Sequence, residues 1–261
     1  MFLNIFSMGF DWATSAGGSP TGSMEVSMTS LPFSLNVDPR PAQFLFTVRG
    51  KPAATTHDGV RSAHNQVAGS DEGVAMARSF GDLSHAVYVP ADHGGGAPRE
   101  MLFIDYWNSP EGLMAFFANE QVQQGGKLVF AERDYVLWAN TPGLPRVSLP
   151  APEGRNERFV GLVRGPVVSR EGAETLLMEA TRKAINTNRA KGLMAREWYF
   201  RLTGPGEAPS LEAIGYDLWF DAEGMEEVYA DPAEMAPLAN LFSARPDTSV
   251  WKKPVGQWVE W

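Results

Sequence analysis

Apolar and polar residues alternate along this chain in two kinds of pattern. Residues 44–49 and 159–164 are short runs rich in Phe, Val and Leu, which is the pattern of a β-strand. Residues 58–78 and 171–189 have apolar residues at helical spacing, and the first of these helices is expected to break near Gly69. The pattern therefore predicts a strand followed by a helix, twice along the chain.

Each predicted helix is followed by two strands joined by a loop rich in Gly and Pro. The first pair is residues 84–89 with residues 101–107, and the second pair is residues 195–202 with residues 211–220. Loops such as ADHGGGAPRE and TGPGEAPS supply the backbone freedom that turns require. Both pairs are predicted to be β-hairpins, and neither Gly-rich loop has the following helix of a phosphate-binding site.

A short helix and a final strand complete each set of elements. Ser109 and Asp221 stand at equivalent positions and are predicted to cap the N-termini of these helices. The final strands are predicted at residues 134–139 and 255–261. Each set then has the order β-α-β-β-α-β, which is the ferredoxin-like arrangement.

The two sets also share sequence, which indicates a duplication. DYWNSPEG at residues 105–112 aligns with DLWFDAEG at residues 217–224, with Asp, Trp, Glu and Gly in common. FLFTVRG at residues 44–50 aligns in the same way with FVGLVRG at residues 159–165. The offsets of the two pairs are 112 and 115 residues, so the blocks recur in the same order with a small insertion between them, which is the mark of an internal repeat.

We predict a fold of the α+β class, built from two tandem ferredoxin-like modules. The predicted parts are an N-terminal arm (1–40), module 1 (41–140), a Pro-rich linker (141–156) and module 2 (157–261). Residues 101–107 are apolar on both faces of the strand, so both faces should be buried. Helices would cover one face, and the sheet of the other module would cover the second.

This order of elements, with strand–cap–helix segments of the FIDYWNSPEGLMAFF type, resembles the dimeric α+β barrel superfamily. That superfamily includes antibiotic-biosynthesis monooxygenases, stress-responsive barrel proteins and polyketide cyclases. The resemblance covers residues 42–140 and 158–261 and implies a pseudo-dimeric α+β barrel with its ligand between sheet and helices. It also implies chemistry on aromatic or polyketide-like molecules, often without metal or flavin, although some members bind haem.

The amino-acid composition limits the classes of partner and of chemistry that we expect for this protein. The chain has 22 Lys and Arg against 31 Asp and Glu, a formal charge of −9, so a nucleic-acid partner is not expected. It has no Cys, which excludes thiolate chemistry and disulfides. We found no apolar run long enough to span a membrane and no signal-peptide pattern, so we expect a cytoplasmic protein. The internal pseudo-dimer could itself pair as a homodimer.

His85 is the first candidate for catalysis. If the first hairpin turns symmetrically about Gly95, His85 lies opposite Asp105, and a neighbouring carboxylate suits an imidazole that acts as a general base. The same register in module 2 places Arg196 near Asp217, as an ordinary ion pair. The alternative is therefore that the pair in module 1 is also structural.

His64 is the second candidate, because it lies on the apolar stripe of the first helix and should face a cavity or a partner in the core. Its neighbour Asn65 is expected to face solvent. All four His residues are in module 1, which suggests that this module alone kept a chemical role. A metal site of His64, His85 and Asp105 has no supporting motif, so we predict no metal and no cofactor.

Aromatic residues of module 1 are the candidates for substrate binding, with ordinary core packing as the alternative. The function expected is His-mediated proton abstraction from a hydrophobic aromatic or polyketide-like substrate, leading to oxygenation, cyclisation or elimination. Alternatives are a non-catalytic ligand-binding or stress-response barrel, and a haem- or metal-dependent barrel enzyme. The predicted substrate-binding residues are Tyr88, Trp107, Phe116, Phe117 and Trp138.

Overall fold

The computed structural model describes residues 44–150 and 153–261, and the predicted arm at residues 1–40 lies outside them. The first half of the described chain has four strands and four helices. In chain order these are β1 (Phe44–Pro52), α1 (His57–Val67), α2 (Asp71–Ser79), β2 (Asp82–Pro90), β3 (Met101–Trp107), α3 (Pro110–Ala118), α4 (Glu120–Val129) and β4 (Phe130–Ala139).

The second half has the same order of elements as the first, except that a single helix stands between its first two strands. A short strand, β5 (Arg146–Ser148), comes before it, within the segment predicted to be a linker. The remaining elements are β6 (Phe159–Pro166), α5 (Arg170–Ala190), β7 (Leu193–Arg201), β8 (Glu212–Trp219), α6 (Ala222–Ala230), α7 (Pro232–Ala239) and β9 (Asp247–Lys252).

Helix ends follow the local signals in the sequence. The side chains of Ser109 and Asp221 accept hydrogen bonds from the backbone N–H groups of Gly112 and Gly224, so both predicted caps are confirmed. The break predicted near Gly69 separates α1 from α2. The single short helix expected after each hairpin is wrong, since two helices follow in both halves.

The prediction of a last strand at residues 255–261 is also wrong. The last strand is β9, which pairs with β6 along six residues. Pro254 lacks a backbone N–H, and Gly256 has a φ of +94°, so the chain turns away from the sheet after β9. We call residues 253–261 the strap, because they cross the outside of β2 and α1.

The strands form one antiparallel sheet that closes on itself. Its order is β4-β1-β3-β2-β9-β6-β8-β7-β5, and β4 also pairs with β7. The two halves meet at two seams, where β2 pairs with β9 and β4 with β7. Closure removes the free strand edges that would otherwise be open to pairing with another chain.

Alternation along the strands separates two layers of core. One face of the sheet points into the closed barrel, where side chains of both halves pack together in a single cluster. In β3, Leu102 and Ile104 point into this interior, while Met101, Phe103 and Trp107 point outward to the helices. The prediction that both faces of this strand are buried is confirmed.

Among the helices in residues 44–150 and 153–261, none is long and apolar enough to cross a membrane.

Candidate functional site

The site begins with a pair of side chains on neighbouring strands. His85 on β2 lies directly opposite Asp105 on β3, as the symmetric hairpin predicted. The Nδ1 atom of His85 is 2.6 Å from Oδ1 of Asp105. Both residues are almost fully buried, with 5% and 6% of their surface exposed. Both side chains point outward from the barrel, towards the helices of the first half.

His64 extends this pair from the helix side. Its Nε2 atom is 2.9 Å from Nε2 of His85, and its side chain is fully buried. The two rings are nearly coplanar, with an angle of 12° between them, so they meet edge to edge. Phe103 packs the edge of its ring against both imidazoles. The sequence pattern predicted that His64 lies on the sheet-facing side of α1. In the structure, this side chain contacts His85.

Asn65 was expected to face solvent, but it is half-buried and its side chain is hydrogen-bonded to His64 and to the strap. Its Oδ1 atom is 2.9 Å from Nδ1 of His64 and also accepts the backbone N–H of Val259 at 3.1 Å. Its Nδ2 atom donates to the backbone oxygen of Gln257 at 3.0 Å. Asn65 therefore joins α1 to the strap, and it ends a continuous row of hydrogen bonds that starts at Asp105.

The strap also covers His85 directly. The ring of Trp261 stacks on the His85 imidazole with 4.7 Å between ring centres. The backbone N–H of His85 donates to the backbone oxygen of Trp261 at 2.8 Å. Trp258 packs against His64, and the carboxylate of Glu260 accepts the backbone N–H of Val87. The strap thus shields both imidazoles from solvent.

Burial shifts the acid–base properties of this row. Desolvation, followed for His64 by the nearby His85, lowers the pKa of each histidine to about 4. Desolvation also raises the pKa of Asp105 well above its ordinary value. Burial favours the neutral form of every one of these groups, because a charge is poorly solvated there. Near neutral pH, both imidazoles are therefore uncharged.

A cavity of about 570 Å³ lies between the sheet and the helices of the first half, and His85 and Asp105 are on its wall. Its volume is in the range of ligand sites, which is about 300–1,000 Å³. Trp107, Phe116 and Phe117 line it, as the sequence analysis placed them. His64 is not on the wall and reaches the cavity only through His85. Other apolar lining residues are Val48, Val67, Met76, Phe130 and Tyr135.

Two of the predicted substrate-binding residues lie elsewhere. Tyr88 and Trp138 are in the barrel interior, on the opposite face of the sheet from the cavity. The indole N–H of Trp138 donates to the hydroxyl of Thr47 at 2.9 Å, which is a core contact. Successive side chains of a strand point to opposite faces of the sheet, which explains why this prediction was wrong. Tyr88 is three residues after His85 along β2, so the two side chains point to opposite faces.

Asp82 is a residue of the site that the sequence analysis missed. It stands at the start of β2, is 6% exposed and lines the same cavity as Asp105. Desolvation, and then the charge of Asp105, raise its pKa to about 8. In the second half Leu193 takes the equivalent position, since Leu193 is paired with Trp219 as Asp82 is with Trp107. Aligning the two halves at this position would have shown a carboxyl in the first half and a leucine in the second. Packing at this position therefore does not require a carboxyl.

The second half has no comparable space in the equivalent place. The cavity there is about 90 Å³. Arg196 lies opposite Asp217 and binds it through two hydrogen bonds of 2.9 and 2.7 Å, so the predicted ion pair is confirmed. Tyr229 lies so close to Gly161 that a Cβ atom on that glycine would be 1.9 Å from the tyrosine hydroxyl. The ring of Tyr229 thus fills part of the volume between sheet and helices.

His57 and His93 form a separate pair outside the cavity. Their ring centres are 6.1 Å apart, and Nε2 of His57 is 2.8 Å from the backbone oxygen of Val255. Within residues 44–150 and 153–261, no group of three or more His, Cys, Asp or Glu side chains has the arrangement of a metal site. His64, His85 and Asp105 point their polar atoms at each other in a row, not at a common centre.

Comparison with known proteins bears on the fold. No family model and no curated protein matches the sequence. Among solved structures, an anthrone oxidase-like protein matches at a TM-score of 0.55 with 14% identity, over 82% of this chain and 92% of that one. A candidate monooxygenase of Fusobacterium nucleatum matches at 0.53 with 8% identity, over 85% and 98%. A candidate monooxygenase of Lactobacillus acidophilus matches at 0.51 with 11% identity, over 82% and 97%. The chain therefore has the dimeric α+β barrel fold that the sequence resemblance implied.

Proposed function

We propose that this protein is a small-molecule enzyme that moves a proton to or from a hydrophobic, aromatic substrate held in the cavity of the first half. The observation that carries the proposal is the buried row of Asp105, His85 and His64, which ends at the wall of a mainly apolar cavity. Buried titratable groups that meet at a cavity are the usual mark of an acid–base site.

Asp105 is the group of this row that exchanges a proton with the substrate. Both ring nitrogens of His85 are already hydrogen-bonded, to Asp105 and to His64, so neither is open to the cavity. When Asp105 takes a substrate proton on its other oxygen, it gives its own proton to His85 across the 2.6 Å contact. The raised pKa of the acid and the lowered pKa of the imidazole favour the proton on Asp105 before the reaction, so His85 holds a proton only transiently and returns it to Asp105.

Asp82 is proposed to assist by hydrogen bonding to a substrate oxygen. Its pKa of about 8 means that the carboxyl carries a proton at neutral pH and can donate it in a hydrogen bond. A neutral carboxyl in an apolar site stabilises a developing enolate or phenolate oxygen in this way. The substrate class that fits is thus an aromatic molecule with a carbonyl or phenol oxygen.

We also propose that the two halves are tandem ferredoxin-like modules produced by duplication, and that the first alone is the active module. The support is the shared order of elements, the repeated sequence blocks and the equivalent registers of His85–Asp105 and Arg196–Asp217. An arginine is always charged near neutral pH and makes a fixed ion pair, whereas an imidazole can gain and lose a proton. The larger cavity is in the half that has the imidazole.

Oxygenation by O₂ is the reaction we favour among those that begin with proton removal, because the folds matched include an oxidase-like protein and candidate monooxygenases. Anthrone is a suitable probe. Removal of a methylene proton gives a carbanion, which reacts with O₂, and one anthrone and one O₂ yield one anthraquinone and one water. The carbanion supplies the electrons and O₂ accepts them.

The test measures O₂ uptake and quinone absorbance with anthrone, for the wild type and for His85→Phe and Asp105→Asn. Loss of the acid–base group should slow turnover by about 10²-fold or more. His93→Phe, in the same half but outside the cavity, is the matched control. Equal rates in all variants would rule out the acid–base model. Tight anthrone binding by a wild type that does not turn it over would favour the ligand-binding barrel instead.

A further inference from the structure

Hydrogen bonds link Asn65 to His64, His64 to His85 and His85 to Asp105. Only one assignment of donors and acceptors is consistent along this row. The amide orientation of Asn65 is fixed by backbone groups, since the N–H of Val259 can only donate and the oxygen of Gln257 can only accept. The oxygen of Asn65 therefore faces His64 and accepts. It follows that Nδ1 of His64 carries a proton and donates it at 2.9 Å.

The remaining protons follow one after another. An uncharged imidazole has one N–H, so the Nε2 atom of His64 is an acceptor. Nε2 of His85, 2.9 Å away, must then be the donor of that contact. This leaves Nδ1 of His85 as an acceptor, and Asp105 must supply the proton between them. The direction agrees with the effect of burial, which raises the pKa of Asp105 and so favours its protonated form.

We propose that Asn65 is a positioning residue which, held by the strap, fixes the tautomers of both histidines and so places the transferable proton on Asp105. Asn65 does not line the cavity, and it acts through His64 and His85. The inference rests on the proposed function for its catalytic meaning, but its structural content can be measured without turnover.

Replacing Asn65 by a residue without an acceptor oxygen would reverse the direction of the hydrogen bonds along the row. In Asn65→Leu nothing on the strap side holds a proton on Nδ1 of His64, and the ring is free to carry it on Nε2. Two N–H groups cannot face each other at 2.9 Å, so His85 would then carry its proton on Nδ1 and donate to Asp105, which would have released its own proton to solvent. One substitution, distant from the cavity, would thus change the protonation of the residue on its wall.

The charged groups around the row belong to several elements. Glu260 of the strap acts electrostatically on both imidazoles, and Lys253 of the strap acts on His85. Glu260 and Lys253 form an ion pair with each other. On the sheet side, Asp105 and Arg78 act electrostatically on Asp82. Spectra should be recorded near pH 7, where both imidazoles are uncharged.

The experiment is long-range ¹H–¹⁵N NMR of protein labelled in histidine, with the ¹³Cγ shift of Asp105 as a second readout. The wild type is expected to show His64 protonated at Nδ1 and His85 at Nε2, with a protonated Asp105. Asn65→Leu is expected to reverse both tautomers and to move the Asp105 signal to that of a carboxylate. Asn65→Asp keeps an acceptor oxygen and should keep Nδ1 of His64 protonated. Ser62→Leu, an exposed position of α1, is the matched control and should leave the spectrum unchanged.

The outcomes separate this inference from the proposed function. A wild type with His64 protonated at Nε2 overturns the inference even if Asn65→Leu does not fold. Unchanged tautomers in a folded Asn65→Leu also overturn it. If the tautomers are as expected but His85→Phe turns over anthrone normally, the proposed function fails while the assigned hydrogen-bond direction stands.

Discussion

The buried carboxyl of Asp82 should make the stability of this protein fall as the pH rises. Its pKa is about 8 in the folded protein, mainly because of desolvation and then because of Asp105, against an ordinary value of 3.8. Between these values the folded protein holds a proton that the unfolded chain has released. The contribution of this proton to stability is therefore fully present below the lower value and is lost as the pH rises towards 8.

The size of this change in unfolding free energy follows from the release of one proton. Each pH unit in this window costs about 1.4 kcal/mol of unfolding free energy, so the change from pH 5 to pH 7 is about 3 kcal/mol. That is a large part of the total stability of a typical domain, about 5–15 kcal/mol. Asp82→Asn replaces the protonated acid by a neutral group of the same shape, and it should remove this dependence.

The assay is urea unfolding followed by tryptophan fluorescence at pH 5, 6, 7 and 8, for the wild type and Asp82→Asn. The difference in unfolding free energy should move by about 3 kcal/mol in favour of the variant between pH 5 and pH 7. Asp105, His64 and His85 titrate in both proteins, so their contributions largely cancel in this difference. Asp71→Asn, an exposed acid on α2, controls for the loss of one carboxylate. Parallel curves for the wild type and Asp82→Asn would refute the reasoning.

Two further substitutions use the comparison between the halves. His85→Arg introduces the residue that the second half has at the equivalent position, and the arginine should form an ion pair with Asp105. This variant should fold but should not turn over anthrone. Normal turnover in a folded variant would show that no titrating group is needed at this position. Gly161→Ala would bring a Cβ atom to 1.9 Å from the Tyr229 hydroxyl and should destabilise the protein by about 1–3 kcal/mol in urea unfolding. Gly94→Ala, with no atom near the added Cβ, is its control, and equal losses would mean that Tyr229 does not fill this space.

Sequence patterns determined much of the architecture. Strand alternation, helical spacing and the caps at Ser109 and Asp221 are local properties, so they indicated most elements and the two-sided burial of β3. The symmetric hairpin also predicted the pairing of His85 with Asp105. Such predictions work because the point at which a hairpin loop turns fixes the register of its two strands.

Contacts between distant segments were decided only by the tertiary structure. The row from Asp105 to Asn65 needs β2, β3, α1 and the strap, and Asn65 meets Val259 across 194 residues of chain. No local pattern encodes such a meeting, which is why Asn65 was expected to face solvent and residues 255–261 were expected to be a strand. The same holds for Tyr88 and Trp138, where the sequence showed aromatic residues and the fold decided which face of the sheet they occupy. The strength of each buried group as an acid or base follows in turn from that packing, because desolvation is a property of the assembled core and not of the residue alone.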